Sequence, residues 1–484
     1  EIFCIVKSLP AQAGQKLQAK SEEFIIRLIK IDGKSAEIKN KDDADKALSG
    51  LRNSDYKIFD LRKREVKKSP YPPFTTSTIT QAAARLFGWS AKRTMFIAQR
   101  LYEEGLITYH RTDSTSLSNE AIDKVRAFIK NNFGEKYLPE TSRFYKTKSK
   151  VAQEAHEAIR PTGVNSKFQI QNSKFEKQGE MLYELIWKRF VACQMADSLY
   201  DETRIDVLAL GQSEAKQSEY LLRASGQVMK FDGWRKVIPV SKNEEPQLPN
   251  VNKDEPLQLI KVDAKQKFTE PPSRYSEASL IKKLEELGIG RPSTYAPIIS
   301  TIQIRNYVEK NEGKFYPTPV GVAVNDFLLK YFTQVFDYGF SAEMEADLDN
   351  VANGKRKWVL MMKDFYSPFG KRLLEVEAKS KRIKIETEKL GKKCPKCEKG
   401  ELVIRIGRFG KFVSCSRFPD CDHSEKYVKK LGMKCPECKK GEVIIKNTKT
   451  GRKFYGCSRY PECKWASWQN PNLKPHNSGP DLQA

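Results

Sequence analysis

The last hundred residues constrain this chain most, because eight of its ten cysteines fall there in two copies of one spacing. Cys394-Pro-Lys-Cys397 lines up with Cys435-Pro-Glu-Cys438, and Cys415-Ser-Arg-Phe-Pro-Asp-Cys421 with Cys457-Ser-Arg-Tyr-Pro-Glu-Cys463. Between the pairs both copies read Lys-Gly-Glu, an apolar β-type run and an aromatic stretch, so one small module is present twice. Neither copy is long enough to bury a core of its own, and a bound metal must supply the folding free energy. Four thiolates on a CPxC knuckle and a returning hairpin satisfy tetrahedral Zn²⁺. Disulfides would need a secretory signal, and a redox CxxC needs no second pair in register. Two four-cysteine zinc ribbons follow, one on Cys394, Cys397, Cys415 and Cys421, the other on Cys435, Cys438, Cys457 and Cys463. Cys4 and Cys193 stand alone and read as small buried hydrophobes.

At roughly 100–200 residues per domain, 484 residues make several domains. Apolar residues at 39% exclude wholesale disorder. The balance of 86 Lys+Arg against 61 Asp+Glu leaves +25, which draws polyanions and puts nucleic acid first among partner classes, although ribosomal and heparin-binding proteins share it. No apolar run reaches 18 residues and the N-terminus lacks a signal-peptide layout, so a cytoplasmic protein without a membrane partner is expected. Because the chain starts at Glu1 inside strand-type sequence, it is expected to be a fragment. Between the ribbon ligands run Arg405, Arg408, Phe409, Lys411 and Phe412, then Lys449, Arg452, Lys453, Phe454 and Tyr455. Interleaved cations and aromatics suit single-stranded nucleic acid, and a protein-binding ribbon is the alternative. Trp465 and Trp468 either stack bases or cover the second ribbon's open face.

Residues 1–67 and 196–265 alternate apolar and polar positions as strands do, the first stretch around a polar, charged middle. They flank an insert, 68–195, with helical periodicity, N-cap candidates at Ser90 and Ser118 and stop signals at Gly88, Gly105 and Gly134. A second helical block, 266–388, opens like the insert: two prolines, a helix, a glycine turn, a second helix and a short apolar strand. Helix, turn, helix and β-wing is a DNA-docking arrangement, and helical hairpins are also common structural pieces.

Only the first hairpin ends on Tyr109-His110-Arg111-Thr112-Asp113-Ser114. A tyrosine hydroxyl can attack a phosphodiester, and the aryl phosphate formed keeps the bond energy because phenoxide leaves well. A phenol with pKa near 10 needs a cation to stabilise developing charge. Arg111, two residues on, shares a face with Tyr109 if the segment is a strand. For a lone Tyr near an Arg, packing plus a surface charge is the ordinary explanation.

The segment GLITYHRTDSTSLS resembles the active-site signature of type IA DNA topoisomerases, in particular the bacterial topoisomerase I group. HEAIRPT (156–162), GIGRPSTYAPIISTIQIRNYV (288–308) and AEMEADLDNVANG (342–354) resemble further signatures of that family in the same order, and the tandem ribbons match its C-terminal region. The resemblance implies a multidomain α+β fold: a toroid with a β-rich arch (1–67 and 196–265), a winged-helix-like catalytic tyrosine domain (68–195) and a helical base domain (266–388). Zinc ribbons follow at 389–428 and 429–469, then a disordered tail at 470–484. It implies that Tyr109 forms a 5′-phosphotyrosine with one DNA strand, that Arg111 neutralises the scissile phosphate, and that His156 helps place it. Arg291, Ser293, Thr294, Arg305 and Asn306 fall where the family binds the single strand, and Arg160 belongs to the same signature set. Gln99 and Glu103, one helical turn apart, are expected to line the pocket, and Asp113 to orient Arg111 or cap the next helix. Asn306 stands where the family often has Gly, a position Asn tolerates in the left-handed conformation. The implied activity is ATP-independent strand cleavage, strand passage and religation that relaxes negatively supercoiled DNA. A monomer near the nucleoid and, by family analogy, contact with RNA polymerase go with it.

The family also carries a Toprim domain whose Glu and Asp-x-Asp-x-Glu cluster hold Mg²⁺. No such stretch occurs here; Asp43-Ala-Asp45 and Asp347-Leu-Asp349 lie in unrelated patterns. The expectation is an N-terminally truncated topoisomerase that binds single-stranded DNA but does not relax supercoils alone. The alternatives are a non-catalytic single-strand-binding zinc-ribbon protein in which Tyr109 is vestigial, and a topoisomerase III. Reverse gyrase would need a helicase segment, and a tyrosine recombinase a different arginine set.

Overall fold

Period-two alternation puts every second side chain of β1 (Ile2–Ser8) and β2 (Glu23–Ile31) on one buried face: Ile2, Cys4 and Val6 on the first, Phe24, Ile26 and Leu28 on the second. The computed structural model describes residues 1–8, 22–146, 156–165, 176–211, 218–239, 248–380, 387–407, 410–428, 430–447, 453–469 and 471. The tail at 470–484 thus lies outside the described residues apart from Pro471. No helix among the described residues is long and apolar enough to cross a membrane. The chain divides into two compact units, one of residues 1–304, 309–316 and 332–373, the other of 305–308, 317–331 and 374–484.

In the first unit, β1 and β2 join β3 (Lys34–Ser35), β4 (Ser54–Lys68), β5 (Ser198–Gly211), β6 (Glu219–Phe231) and β7 (Pro256–Ala264) in one sheet of order β1-β7-β4-β5-β6-β2-β3. β1 also pairs with β2, so the sheet closes on itself and six of its strands have no free edge. The polar middle of the first stretch is a helix and not a strand: α1 (Lys41–Arg52) is capped by the Asn40 side chain, which accepts from the Asp43 amide at 2.8 Å. Its Ala47 and Leu51 bury in the core of the closed sheet.

Between β4 and β5 come α2 (Thr76–Phe87), α3 (Ala91–Glu103), α4 (Asn119–Phe133) and α5 (Glu176–Cys193). Ser90 and Ser118 cap α3 and α4 through their side chains, and Gly88, Gly105 and Gly134 adopt positive φ where α2, α3 and α4 end. After β7 come α6 (Glu277–Glu286) and α7 (Tyr295–Ile304), followed by a hairpin of β8 (Val308–Asn311) and β9 (Lys314–Pro317). The duplicated layout extends to atoms: α2 and α6 both start with a reciprocal capping box, Thr75 with Thr78 and Ser276 with Ser279. The two helical hairpins pack on each other, α2 on α6 and α3 on α7. Buried Glu277, the first residue of α6, accepts from the Ala91 amide at the start of α3 at 2.8 Å and from Lys310 Nζ at 2.8 Å, while Ser77 Oγ donates to Glu285 at 2.6 Å. Among the described residues only the second hairpin carries a two-stranded wing; the first is flanked by the single bridges Phe74 to Ile159 and Ile107 to Pro161.

Chain order continues with α8 (Pro319–Tyr331) in the second unit, then α9 (Tyr338–Ala352) and α10 (Trp358–Lys379), the latter up to residue 373, in the first. The Phe365 ring lies 5.3 Å from Phe369 and 6.0 Å from Phe340, which ties α10 to α9. The rest of the second unit is two four-stranded antiparallel sheets of matching layout. The first has β10 (Glu388–Lys393), β11 (Glu401–Gly407), β12 (Gly410–Cys415) and β13 (Ser424–Lys426). The second has β14 (Lys430–Lys434), β15 (Glu442–Asn447), β16 (Lys453–Cys457) and β17 (Ala466–Ser467). Cys4 and Cys193 are fully buried, as their isolation in the sequence suggested.

Candidate active site and zinc centres

Gly105, at φ +69°, turns the chain out of α3 into a segment held at both ends. At its start the Thr108 amide donates to the Arg160 carbonyl at 2.9 Å, and the Arg160 amide to Thr108 Oγ1 at 3.0 Å. At its end Thr76 and Thr112 exchange bonds of 2.9 Å, and Thr76 Oγ1 donates to the His110 carbonyl at 2.7 Å. His110 and Thr112 are therefore buried, and Tyr109 and Arg111 exposed. The segment belongs to no strand, which corrects the expectation, but clamping by Thr76 and Arg160 produces the same alternation. Tyr109 is 37% exposed. Its ring lies 5.3 Å from Tyr102, 5.4 Å from His110 and 5.5 Å from His156.

Tyr109, Arg111, Asp113 and His156 line a cleft of about 300 Å³ together with Arg291, Pro292, Ser293 and Asp349. Gly288 and Gly290, both at positive φ, set the turn before Arg291, and Thr294 Oγ1 accepts from the Arg291 amide at 2.7 Å. Arg291 Nη2 donates to Asp349 Oδ2 at 2.5 Å, and Glu345 lies 3.8 Å from Nη1. Burial pulls the Arg291 guanidinium down, but the Asp349 hydrogen bond and the two carboxylates outweigh it and hold it above its usual range. Burial pushes His110 down to about 4, helped by the Arg111 charge and opposed by Glu103. Neither His110 ring nitrogen has a hydrogen-bond partner among the described residues.

Other expected site residues lie elsewhere. Gln99 donates to Glu103 at 2.9 Å on the α3 surface, and neither lines the cleft. Arg160 is taken by Glu157 at 2.6 Å; burial pushes Glu157 up, but Arg160 and the Ser118 amide hold it below its usual range. Asp113 does not cap α4, because Ser118 does, and no hydrogen bond or ion pair joins it to Arg111 among the described residues. Thr294 shapes the turn at Arg291 and is not among the cleft-lining residues. Arg305 and Asn306 belong to the second unit, where Asn306 adopts φ +55°. Asp349 and Glu345 were not among the expected site residues, although both lie in the AEMEADLDNVANG signature. Beyond that signature, their signal is i, i+4 spacing on a helix, and only the tertiary fold gives that face an arginine.

Among the described residues, neither Asp-x-Asp pair fits a Mg²⁺ site of the family's kind. Asp43 and Asp45 on α1, like Asp347 and Asp349 on α9, are two apart on a helix and diverge. Asp347 is also paired with Arg356, and Asp349 with Arg291.

Zinc is different. Cys394, Cys397, Cys415 and Cys421 bring their sulfurs within 4.8 Å of one another, as do Cys435, Cys438, Cys457 and Cys463. Bonds of ~2.3 Å to a tetrahedral ion require S–S edges of about 3.8 Å. The pairs Cys394–Cys421 and Cys435–Cys463 stand at 3.8 Å, Cys397–Cys415 and Cys438–Cys457 at 3.6 Å. Backbone amides aimed at sulfur, Gly400 on Cys397 and Gly441 on Cys438, pull both thiols down to about 6, the thiolate form a metal needs. A Cβ on Gly400 or Gly441 would stand 2.5 Å from Cys415 or Cys457 Sγ, so the Lys-Gly-Glu glycines are fixed by close approach. Trp465 packs on the second cysteine cluster, whereas Trp468 is 57% exposed with its ring 5.8 Å from Phe454. Arg405 lies 5.4 Å over the exposed Phe418 ring and Lys446 4.7 Å over Tyr460, at equivalent places in the two ribbons. Arg408, Phe409, Lys449 and Arg452 fall outside the described residues.

A family model described as DNA topoisomerase matches residues 10–363, and one described as topoisomerase DNA binding C4 zinc finger matches 391–430 and 432–472. DNA topoisomerase 1 of Rickettsia felis is 41% identical over 442 residues, covering 85% of this chain and 56% of that protein. DNA topoisomerase 1 of Rickettsia bellii is 40% identical over 440 residues, covering 85% and 54%. Full-length topoisomerase I from Thermotoga maritima is similar in structure, with a TM-score of 0.63 and 31% identity over 88% of this chain and 66% of that one. The chain thus spans just over half the length of these curated relatives.

Proposed function

This chain belongs to the bacterial DNA topoisomerase I family of type IA enzymes, and on that premise we propose that its cleft breaks and rejoins one DNA strand. The observation that carries the reading is the convergence of Tyr109, Arg111, His156 and Arg291 on one cleft. Tyr109 Oη attacks the scissile phosphorus; the Oη–P bond forms, the P–O3′ bond breaks, the phenol proton leaves and the 3′-oxygen takes one up. Arg111 and Arg291 stabilise charge on the non-bridging oxygens, and His156, packed on the Tyr109 ring, keeps the phenol in place. Because the phosphotyrosine keeps the ester's energy, the 3′-hydroxyl can reverse the step without ATP after a strand has passed. Negatively supercoiled DNA is the substrate, since it offers single-stranded segments. The zinc ribbons add a hold on that strand through Phe418 and Tyr460 beside Arg405 and Lys446. Mg²⁺ dependence, a monomer in the nucleoid-containing cytoplasm and contact with RNA polymerase belong to the same reading.

The test is covalent trapping. The chain is mixed with a labelled single-stranded oligonucleotide and Mg²⁺, with and without a separately expressed Toprim fragment of a relative, and denatured. We expect DNA attached to protein only when the Toprim fragment is present, and none with Tyr109→Phe. Tight DNA binding without adduct under either condition would instead favour a non-catalytic single-strand-binding protein.

A further inference from the structure

The ion pair of Arg291 with Asp349 lies in the cleft, and the chemistry above uses only its arginine. A guanidinium has five N–H donors. Nη1 donates to the carbonyls of Gly290 at 2.9 Å and Gly288 at 3.4 Å, and Nη2 to Asp349 Oδ2 at 2.5 Å. Glu345, one turn earlier on α9, adds a second carboxylate at 3.8 Å from Nη1. Nε and one Nη2 proton remain without a partner among the described residues, and a neighbouring pair of N–H groups is what grips two oxygens of a phosphate.

An arginine free in solvent gives up rotamer entropy when it is fixed. Here the side chain is held from α9, its exposure cut to 25%, with no ligand needed to order it. A carboxylate in a nucleic-acid cleft is otherwise a repulsive charge, so its place at 2.5 Å from Arg291 calls for a role.

We propose that Asp349, with Glu345 behind it, is a positioning residue: it fixes the Arg291 guanidinium so that its remaining donors meet a strand phosphate beside Tyr109. The inference rests on the reading that the cleft binds single-stranded DNA. Asp349 touches no reacting atom and acts only through Arg291.

Hydrogen exchange on the full chain, titrated with an oligo-dT strand, tests this locally, because the peptide spanning 106–114 reports the cleft whatever the ribbons bind. Asp349→Ala should raise the DNA concentration for half-protection about 10-fold, and Asp349→Asn, which keeps an acceptor, about 3-fold. In an Arg291→Ala background neither should add a further shift. An unchanged or lower midpoint for Asp349→Ala overturns the proposal, the latter because it would mean that the carboxylate competes with phosphate. A further loss in the Arg291→Ala background overturns it too. If Asp349→Ala exposes 338–352 before DNA is added, the Asn variant decides by the same criteria. If DNA does not protect 106–114 in the unaltered chain, the functional reading fails and the inference with it.

Discussion

His110 stands next to the proposed nucleophile, fully buried, with no partner for either ring nitrogen among the described residues. Its folded pKa of about 4 lies below the ordinary 6.5, so the unfolded chain takes up a proton between those values that the folded chain refuses. Stability contributed by neutral His110 is therefore complete above pH 6.5 and is lost as pH falls toward 4, by about 2–3 kcal/mol at pH 4.5. Urea unfolding at pH 7 and pH 4.5 should show His110→Met losing less stability on acidification than the parent by that amount; equal losses would refute the assignment. Gly400 gives a second residue-scale test. Gly400→Ala drives a methyl into Cys415 Sγ, so Zn²⁺ affinity of the first ribbon should fall by ten-fold or more in a chelator competition, with the second ribbon unaffected. Tyr109 and Arg111 were legible because they sit in one contiguous motif. Asp349 was not, since its meaning depends on Arg291, which the fold brings to it from the turn before α7.

Among the helices, the consequential contact is Glu277, which accepts from the first amide of α3 and from Lys310. Glu277→Ala leaves a buried amide and a half-buried ammonium without their partner and should cost about 2–4 kcal/mol in urea unfolding. Glu277→Gln, which keeps an oxygen for Ala91, should cost less. The paired hairpins were readable from proline, glycine and apolar spacing, and Ser90 and Ser118 cap as their positions suggested. Two elements misled the reading for physical reasons. The α1 segment is mostly polar and buries only Ala47 and Leu51, too little apolar periodicity to announce a helix. The segment after α3 alternates because side-chain hydroxyls and one partner segment clamp it, not because it joins a ladder.

Across the whole molecule, the groups of described residues that could hold a metal are the two four-cysteine clusters of the ribbons. Native mass measurement should find two Zn²⁺ per chain. A strong chelator should open residues 388–469 to protease while leaving the thermal transition of the first unit where it was. The cysteine grammar made the ribbons fully legible, since four ligands at fixed spacing leave few folds. The alternating stretches revealed strands but not the sheet's closure, because the pairing of β1 with both β7 and β2 joins segments far apart in sequence.

The cleft gathers side chains from the α3 exit, from the segment at His156, from the turn before α7 and from the last turn of α9. During synthesis the tyrosine therefore emerges from the ribosome long before the arginine and carboxylates that complete its surroundings. A nascent chain bears an exposed phenol but no finished cleft until α9 has been translated and folded back.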